Sequence, residues 1–512
     1  MRIASFLMSV SLLAVAMPAA AQDAPSAQGD RVAATTTLQD AMVQAYNTNP
    51  QLSGARAELR ATDEGVPLAR AGGLPSVRTS SGYSENLYDS GATGVSPTRT
   101  GSVGVDASLP IYSGGSVQNS VRAAESRVES GRASLRGTES DLFVSVVTVY
   151  LDVIRYEAIV RLNQQNVEAL RVNLQATRDR FEVGDLTRTD VAQSEARLAL
   201  AESQLRGAEA QLIASRESYI RVVGSPPGTL ASPPPLPDLP DSPDVAVRIA
   251  LDENPDLAAA RKAREASGYD TDVARASRLP QVSVNVGTDY YNYLGSLGNQ
   301  ASLLGYENDG LSASAGVSVS FPLFQGGRPA AQIRQAQARE AQSIEQVTLT
   351  ERAIIAQVRS AYANYRSALR VIEASRVAVE ANQLSLEGVR AENSVGTRTI
   401  LDILNAEQEL LNSQVNYVTA QRDAYVAGFT LLAAMGRAEA KDLGLGGGTL
   451  YDPRSNYNRV RGGWSDWSTG DAPEPVATST AQTPSQTPDV SNTLDPMLRR
   501  PVDTTYPDSS GE

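Results

Sequence analysis

The apolar positions of this chain follow two rhythms. The first is a period of seven. Val146, Val153, Val160, Val167, Leu174 and Phe181 stand seven apart, with Val149, Tyr156 and Leu170 on a partial second seam. Val358, Tyr365, Ile372, Val379 and Leu386 repeat the pattern, as do two shorter runs through Val191, Leu198, Leu205, Leu212 and Tyr219 and through Ile403, Leu410, Tyr417, Ala424 and Leu431. A sustained heptad means helices packed side by side as coiled coils. The stretch 116–183 alone predicts a helix of roughly 100 Å at about 1.5 Å per residue, roughly three times the thickness of a bilayer core. Ala, Ser, Gln and Arg fill most other positions, so each helix is apolar on a narrow seam and wet elsewhere.

The second rhythm is a period of two, the signature of strands. Val103, Val105, Ala107, Leu109 and Ile111 alternate with Ser102, Gly104, Asp106 and Ser108. Leu311, Ala313, Ala315, Val317, Val319, Phe321 and Leu323 alternate with small polar residues, Val282, Val284, Val286, Thr288 and Tyr290 do the same, and a weaker pattern covers 76–83. Each run has about the 9 to 11 residues of a tilted outer-membrane strand. Four strands cannot close a barrel, since about eight is the smallest number that does, so several chains must contribute.

The elements come twice. Helical segments 38–71 and 245–277 are interrupted at Asn49-Pro50 and Asn254-Pro255, 205 residues apart, and end at Leu74-Pro75 and Leu279-Pro280 with the same spacing. After the strands the offset becomes 212, so the extra seven residues fall between, as in a tolerant surface loop. Pro110 with Gly114-Gly115, and Pro322 with Gly326-Gly327, mark where strand passes into helix: proline withdraws an amide and the glycine pair permits a sharp redirection. The long helices turn at Gly184-Asp185-Leu186 and Gly396-Thr397-Arg398, then restart near Asp190 and Asp402. The implied order is a secretory signal at 1–21 and an N-terminal segment with the first helix at 22–74. Strands at 75–112 and a helical hairpin at 113–223 complete the first repeat. A Pro-rich linker at 224–244 leads to a helix at 245–279, strands at 280–325 and a second hairpin at 326–436. An extension at 437–512 is read as mostly disordered because Pro, Ser, Thr and Asp dominate from Ala472 onward.

Composition narrows the function. Arg2, an apolar run to Met17 and Ala19-Ala20-Ala21 read as a cleavable export signal, and no other stretch approaches the length of a membrane helix. The chain has no cysteine and no histidine, which removes disulfides, thiolate or imidazole metal sites, lipid on an N-terminal cysteine and His-based catalysis. A formal charge of −13 argues against nucleic acid as a partner. Lys262 and Lys441 are the only lysines, and neither completes a phosphate-binding loop. No cofactor, metal site or catalytic residue is expected.

The duplicated strand pair, the Pro to Gly-Gly hinges and the tip motifs RFEVGDLTRTDV and SVGTRTILDIL resemble the TolC family of trimeric outer-membrane efflux and secretion channels, over about residues 38–443. The resemblance implies a mixed α and β membrane protein, a trimer whose four antiparallel strands per chain form a twelve-stranded outer-membrane barrel above a coiled-coil tunnel across the periplasm. It implies opening by a periplasmic adaptor and an inner-membrane transporter, and the tips are similar to channels of type I secretion.

By position, the resemblance assigns a periplasmic gate. Asp402 matches an acidic ring at the entrance, and Asn405 stands where a second aspartate is found in the family. Asp190 and Arg398 match a pair that latches the inner coils, and Asn393 replaces a tyrosine of that latch. Val183, Gly184, Asp185, Val395, Gly396 and Thr397 match the turns on which the adaptor docks. The residues also have a plainer role: Thr187 with Asp190, and Thr399 with Asp402, have capping-box spacing, and a carboxylate in a first turn meets the positive end of the helix. Two other classes compete. An exported adhesive coiled-coil surface protein would not need hairpins joined to alternating strand pairs at matched offsets, and an exported hydrolase lacks a partner constellation for any nucleophile.

Overall fold

The computed structural model describes residues 35–88, 96–237, 239–297, 303–445, 450–470, 472–490 and 493–499. The expected signal at 1–21 lies outside them. Three short helices open the chain: α1 (Leu38–Thr48), α2 (Pro50–Asp63) and α3 (Gly65–Ala71). Strands β1 (Ser76–Glu85) and β2 (Arg99–Tyr112) follow, then α4 (Ser116–Glu182) and the returning α5 (Arg188–Val223). The second copy consists of α6 (Pro243–Glu253), α7 (Pro255–Ala276), β3 (Gln281–Asn292), β4 (Asp309–Ser320), α8 (Arg328–Ser394) and α9 (Ile400–Ala434). A short α10 (Ser455–Val460) lies in the C-terminal extension.

The asparagines before Pro50 and Pro255 explain the matched breaks. Each side-chain oxygen accepts from two amides of the helix it starts, and each side-chain amide donates across the molecule, Asn49 to the Val222 carbonyl and Asn254 to the Ala434 carbonyl, both at 3.0 Å. A cap thus doubles as a bolt between the entering helix and the end of the returning one. The main core lies at this level, where α1, the middle of α4, the end of α5, α6, the start of α7 and the end of α9 meet around Phe143, Tyr150, Leu212, Tyr219, Leu257 and Leu431. Toward the tips a second cluster follows the heptads through Val167, Leu170, Val379, Leu386, Leu404 and Leu410. Phe181, the last first-copy heptad position, is exposed, because the hairpin turn leaves it no facing helix.

The four strands form one antiparallel sheet in chain order, β1-β2-β3-β4. Its register joins the apolar positions directly: Val105 faces Thr79 and Thr288, Leu109 faces Val284, and Val284 faces Val317. Ser102, Asp106, Asn285, Ser314 and Ser318 belong to the opposite face, where Ser108 bonds Asn285 at 2.8 Å and Ser283 bonds Ser318 at 2.7 Å. One face is therefore apolar and the other hydroxyl- and carboxylate-rich, the alternation of a barrel wall. The two copies differ at the hinge. β2 runs through Pro110 to Tyr112 with an irregularity opposite Ser283 and Val282, whereas β4 stops at Ser320, so Phe321 and Leu323 lie beyond the strand that alternation had extended through them. Past the proline β2 is held by β3 alone, through Ser283 and Val282, since its pairing with β1 ends at Ser108.

The segment from Ala472, whose composition predicts disorder, is described at 472–490 and 493–499, with a single 3-10 turn among those residues at Pro496–Leu498. It is anchored. Arg216 donates to the carbonyls of Thr487 and Asp489, both at 2.6 Å, Arg161 donates to that of Val490, and Leu494 and Leu498 are buried in the second cluster.

Candidate functional site: the hairpin tips

At the first tip α4 ends on Val183, and Gly184 takes a φ of 83° that an L side chain adopts only with strain. The Gly184 amide donates to the Phe181 carbonyl and that of Asp185 to the Arg180 carbonyl, which closes the helix in two bonds. The second tip is built the same way around Gly396, φ 80°, with bonds from Gly396 to Asn393 and from Thr397 to Glu392. Each return then starts in a capping box. The Thr187 and Thr399 hydroxyls accept from the amides of Asp190 and Asp402, and those carboxylates accept the threonine amides at 2.8 and 3.0 Å. Hydrogen bonds from Thr187 and Thr399 hold the Asp190 and Asp402 carboxyls below the ordinary range. Capping is thus present at both aspartates.

Each tip also carries an ion pair that spacing did not reveal, and the two have opposite polarity. Arg180 reaches forward to Asp185 at 2.6 Å; 212 residues on, Glu392 accepts from Arg398 at 2.7 Å. Arg398, expected in a latch with Asp190, makes its ion pair inside its own tip. Asn393 donates to the Arg398 carbonyl at 2.7 Å and so braces the same turn. Just inside the tips, Arg178 pairs with Glu195 and Arg390 with Glu407, again 212 apart in both members. That repeated charge pair was legible in the sequence and would have located the facing sides of each hairpin. Asn405 is not free in a ring position: its Oδ1 accepts from Arg197 on α5 at 2.7 Å.

Val183 and Val395 stand bare at the two turns, 80% and 74% exposed, with no charge of their own. At the opposite end Gly115 and Gly327 precede α4 and α8 with φ of 82° and 83°, and a Cβ on Gly114 would come within 2.8 Å of the Leu279 side chain. Among the described residues no helix is long and apolar enough to cross a membrane, and no group of acidic side chains is arranged to hold a metal.

The chain matches the family described as outer membrane efflux protein over residues 41–225 and 246–437. It is 33% identical to the outer membrane efflux protein BepC of Brucella suis over 85% of this chain and 92% of that protein. It is 29% identical to the alkaline protease secretion protein AprF of Pseudomonas aeruginosa over 67% and 70%. Its fold matches the solved outer membrane protein VceC of Vibrio cholerae with a TM-score of 0.67 at 21% identity, over 78% of this chain and 96% of that one. Matched over most of its length by the family model and by these relatives, the chain belongs to the outer membrane efflux protein family, channels rather than enzymes, placed in the outer membrane and reaching into the periplasm.

Proposed function

We propose that three copies of this chain assemble into the exit duct of a tripartite export system, closing a twelve-stranded barrel above a helical tunnel. The observation that carries this reading is the open sheet: β1 and β4 each have one neighbour, and one face carries Val105, Val317 and Val319 bare. TolC-family channels are trimers that work with an adaptor and an inner-membrane transporter. The Val183 and Val395 turns are the docking points for such an adaptor, and Asp402, Asp190 and Arg398 line the periplasmic mouth. Three Asp402 carboxylates about one axis form a ring of the kind cation-selective pores use. Exposed pairs are worth about 0 to 1 kcal/mol each, so contacts repeated by threefold symmetry hold the mouth closed yet yield to an adaptor. The cargo is small molecules, as the likeness to BepC supports, or secreted protein, as that to AprF supports. Mass determination in mild detergent and conductance in planar bilayers test the duct: a trimer that conducts is expected, and a stable monomer or a silent assembly overturns it. Loss of the gene separates the cargoes, through drug sensitivity in one case and a depleted secreted proteome in the other.

A further inference from the structure

Trp464 and Trp467 are the only tryptophans in the chain, and both are almost wholly bare, at 86% and 94% exposed. Nothing in the duct uses them. A tryptophan has a large apolar body and one N–H, and the environment that suits both is the membrane–water interface. The extension that carries them is pinned at the membrane-proximal end of the helical body. Tyr457 packs on Val66, Ala124 and Val128, Asn456 donates to buried Asp63 at 2.8 Å, and the Arg461 carbonyl accepts from Arg70.

These anchors fix the level of the segment. Arg461 shares a small cavity with Gln118 and Val121, which lie two and five residues into α4, or roughly 3 to 8 Å along its axis at about 1.5 Å per residue. Trp464 is three residues beyond Arg461, a reach of about 10 Å. β2 ends at Tyr112, four residues before α4 begins, and β1 starts six residues after Arg70. Trp467, six residues beyond Arg461, has a reach of about 20 Å, so both tryptophans are tethered close enough to meet the level at which the barrel leaves the bilayer. At the same level Tyr112, Phe321 and Phe324 are exposed, the aromatic girdle expected at a barrel rim. Arg70, Arg122 and Arg461 gather around the cavity with Glu125 as the one acid, a local positive balance in a chain that is acidic as a whole.

We propose that segment 461–470 is a peripheral membrane anchor, with Trp464 and Trp467 in the headgroup region of the periplasmic leaflet and the neighbouring arginines on phospholipid phosphates. The segment extends the lipid interface of the barrel onto the helical body and resists tilting of the duct when a partner engages the far end. The inference rests on outer-membrane placement and not on the trimer or its partners.

Because the chain has no other tryptophan, selective tryptophan excitation of the full-length protein reads this segment alone. The protein is reconstituted in phosphatidylethanolamine–phosphatidylglycerol vesicles, and preparations from which alkaline carbonate does not extract it are measured, so that failed insertion is not mistaken for a failed anchor. The expected result is a blue-shifted emission, quenched by phospholipid brominated near the headgroup end of its acyl chains and less by phospholipid brominated near the chain terminus. Emission at the wavelength of tryptophan in water with no bromolipid quenching overturns the proposal. A blue-shifted emission indifferent to bromolipid does so too, since it places the residues against protein. W464F and W467F, measured singly, are each expected to retain bromolipid quenching from the remaining tryptophan; loss of quenching in both overturns the shared placement.

Discussion

Arg197 on α5 donates to the Asn405 side chain on α9 at 2.7 Å, tying the two returning helices of one chain together near their tips. An aspartate at 405 would meet a cation already in place. N405D is therefore expected to change cation selectivity little, because each new carboxylate is partnered by Arg197. The double variant R197Q/N405D should raise it. Reversal potentials under a salt gradient decide: a large shift from N405D alone would show that Arg197 is drawn elsewhere in the assembly.

Arg398 has a partner within its own tip, so its role can be divided. If the Glu392 pair is all it does, R398S and E392Q behave alike and conductance stays near that of the parent. If Arg398 also latches a neighbouring coil, R398S raises single-channel conductance and E392Q, which frees the arginine for that latch, does not. The second outcome is expected, with trimer mass unchanged in mild detergent.

Both capping boxes should weaken in acid. The native carboxyl values of Asp190 and Asp402 lie below the ordinary 3.8. Their contribution is thus fully present above that value and is lost as pH falls through the lowered native values. Protection of the tip amides, taken relative to their intrinsic exchange rates, is expected to fall below about pH 3.8 before that of the core. T187A and T399A should mimic this at neutral pH, at a cost of about 1 kcal/mol per cap. Tip protection unchanged over that range would mean the aspartates are held by something other than their caps.

The sheet register separates neighbouring positions at equal depth. Ala315 faces Val286 on the apolar side, and Ser314 faces Gly287 on the polar side. A315R is expected to cost about 2 to 4 kcal/mol in lipid, S314R much less, and V319R, one residue from the end of β4, about 0 to 1. Denaturant unfolding in vesicles measures all three. Equal costs for 314 and 315 would reverse or abolish the assignment of faces.

Arg216 pairs with Glu157 at 2.7 Å, with only 10% and 2% of the two side chains exposed, and also holds two carbonyls of the C-terminal segment. R216A takes the arginine away from a buried carboxylate and should destabilise the chain by about 3 to 5 kcal/mol. It should also open 472–490 to protease, whereas R161A, which loses a single carbonyl bond, should do so weakly. A tail equally resistant in R216A would leave Leu494 and Leu498 as sufficient anchors.

The parts of this molecule that repeat were the parts legible in its sequence. Val146 to Leu174 announces a seam because every turn says the same thing, and Asn49-Pro50 and Pro110 to Gly115 announce joints because each occurs twice. What escaped were contacts that join unlike segments once. The tail from Ala472 has the composition of a disordered chain, and nothing local marks Leu494, Leu498 and three backbone carbonyls as the points where α4 and α5 would capture it. The tip ion pairs escaped for a different reason. Arg180 and Glu392 occupy equivalent places with opposite charge, so a search for matching residues passes over them although their partners, Asp185 and Arg398, restore the same contact.

The two unpaired margins of the sheet bear on how the channel is made. A strand edge cannot rest in hydrocarbon, where each unbonded amide and carbonyl costs several kcal/mol. The sheet of a lone chain has two such edges, on β1 and β4. A newly exported chain is therefore barred from the bilayer by its own hydrogen-bonding groups until it meets others. Its helical body, with a core of its own, can fold in water beforehand. Encounter in the periplasm and entry into the membrane become one concentration-dependent step, so the yield of finished channels should rise more steeply than the supply of chains.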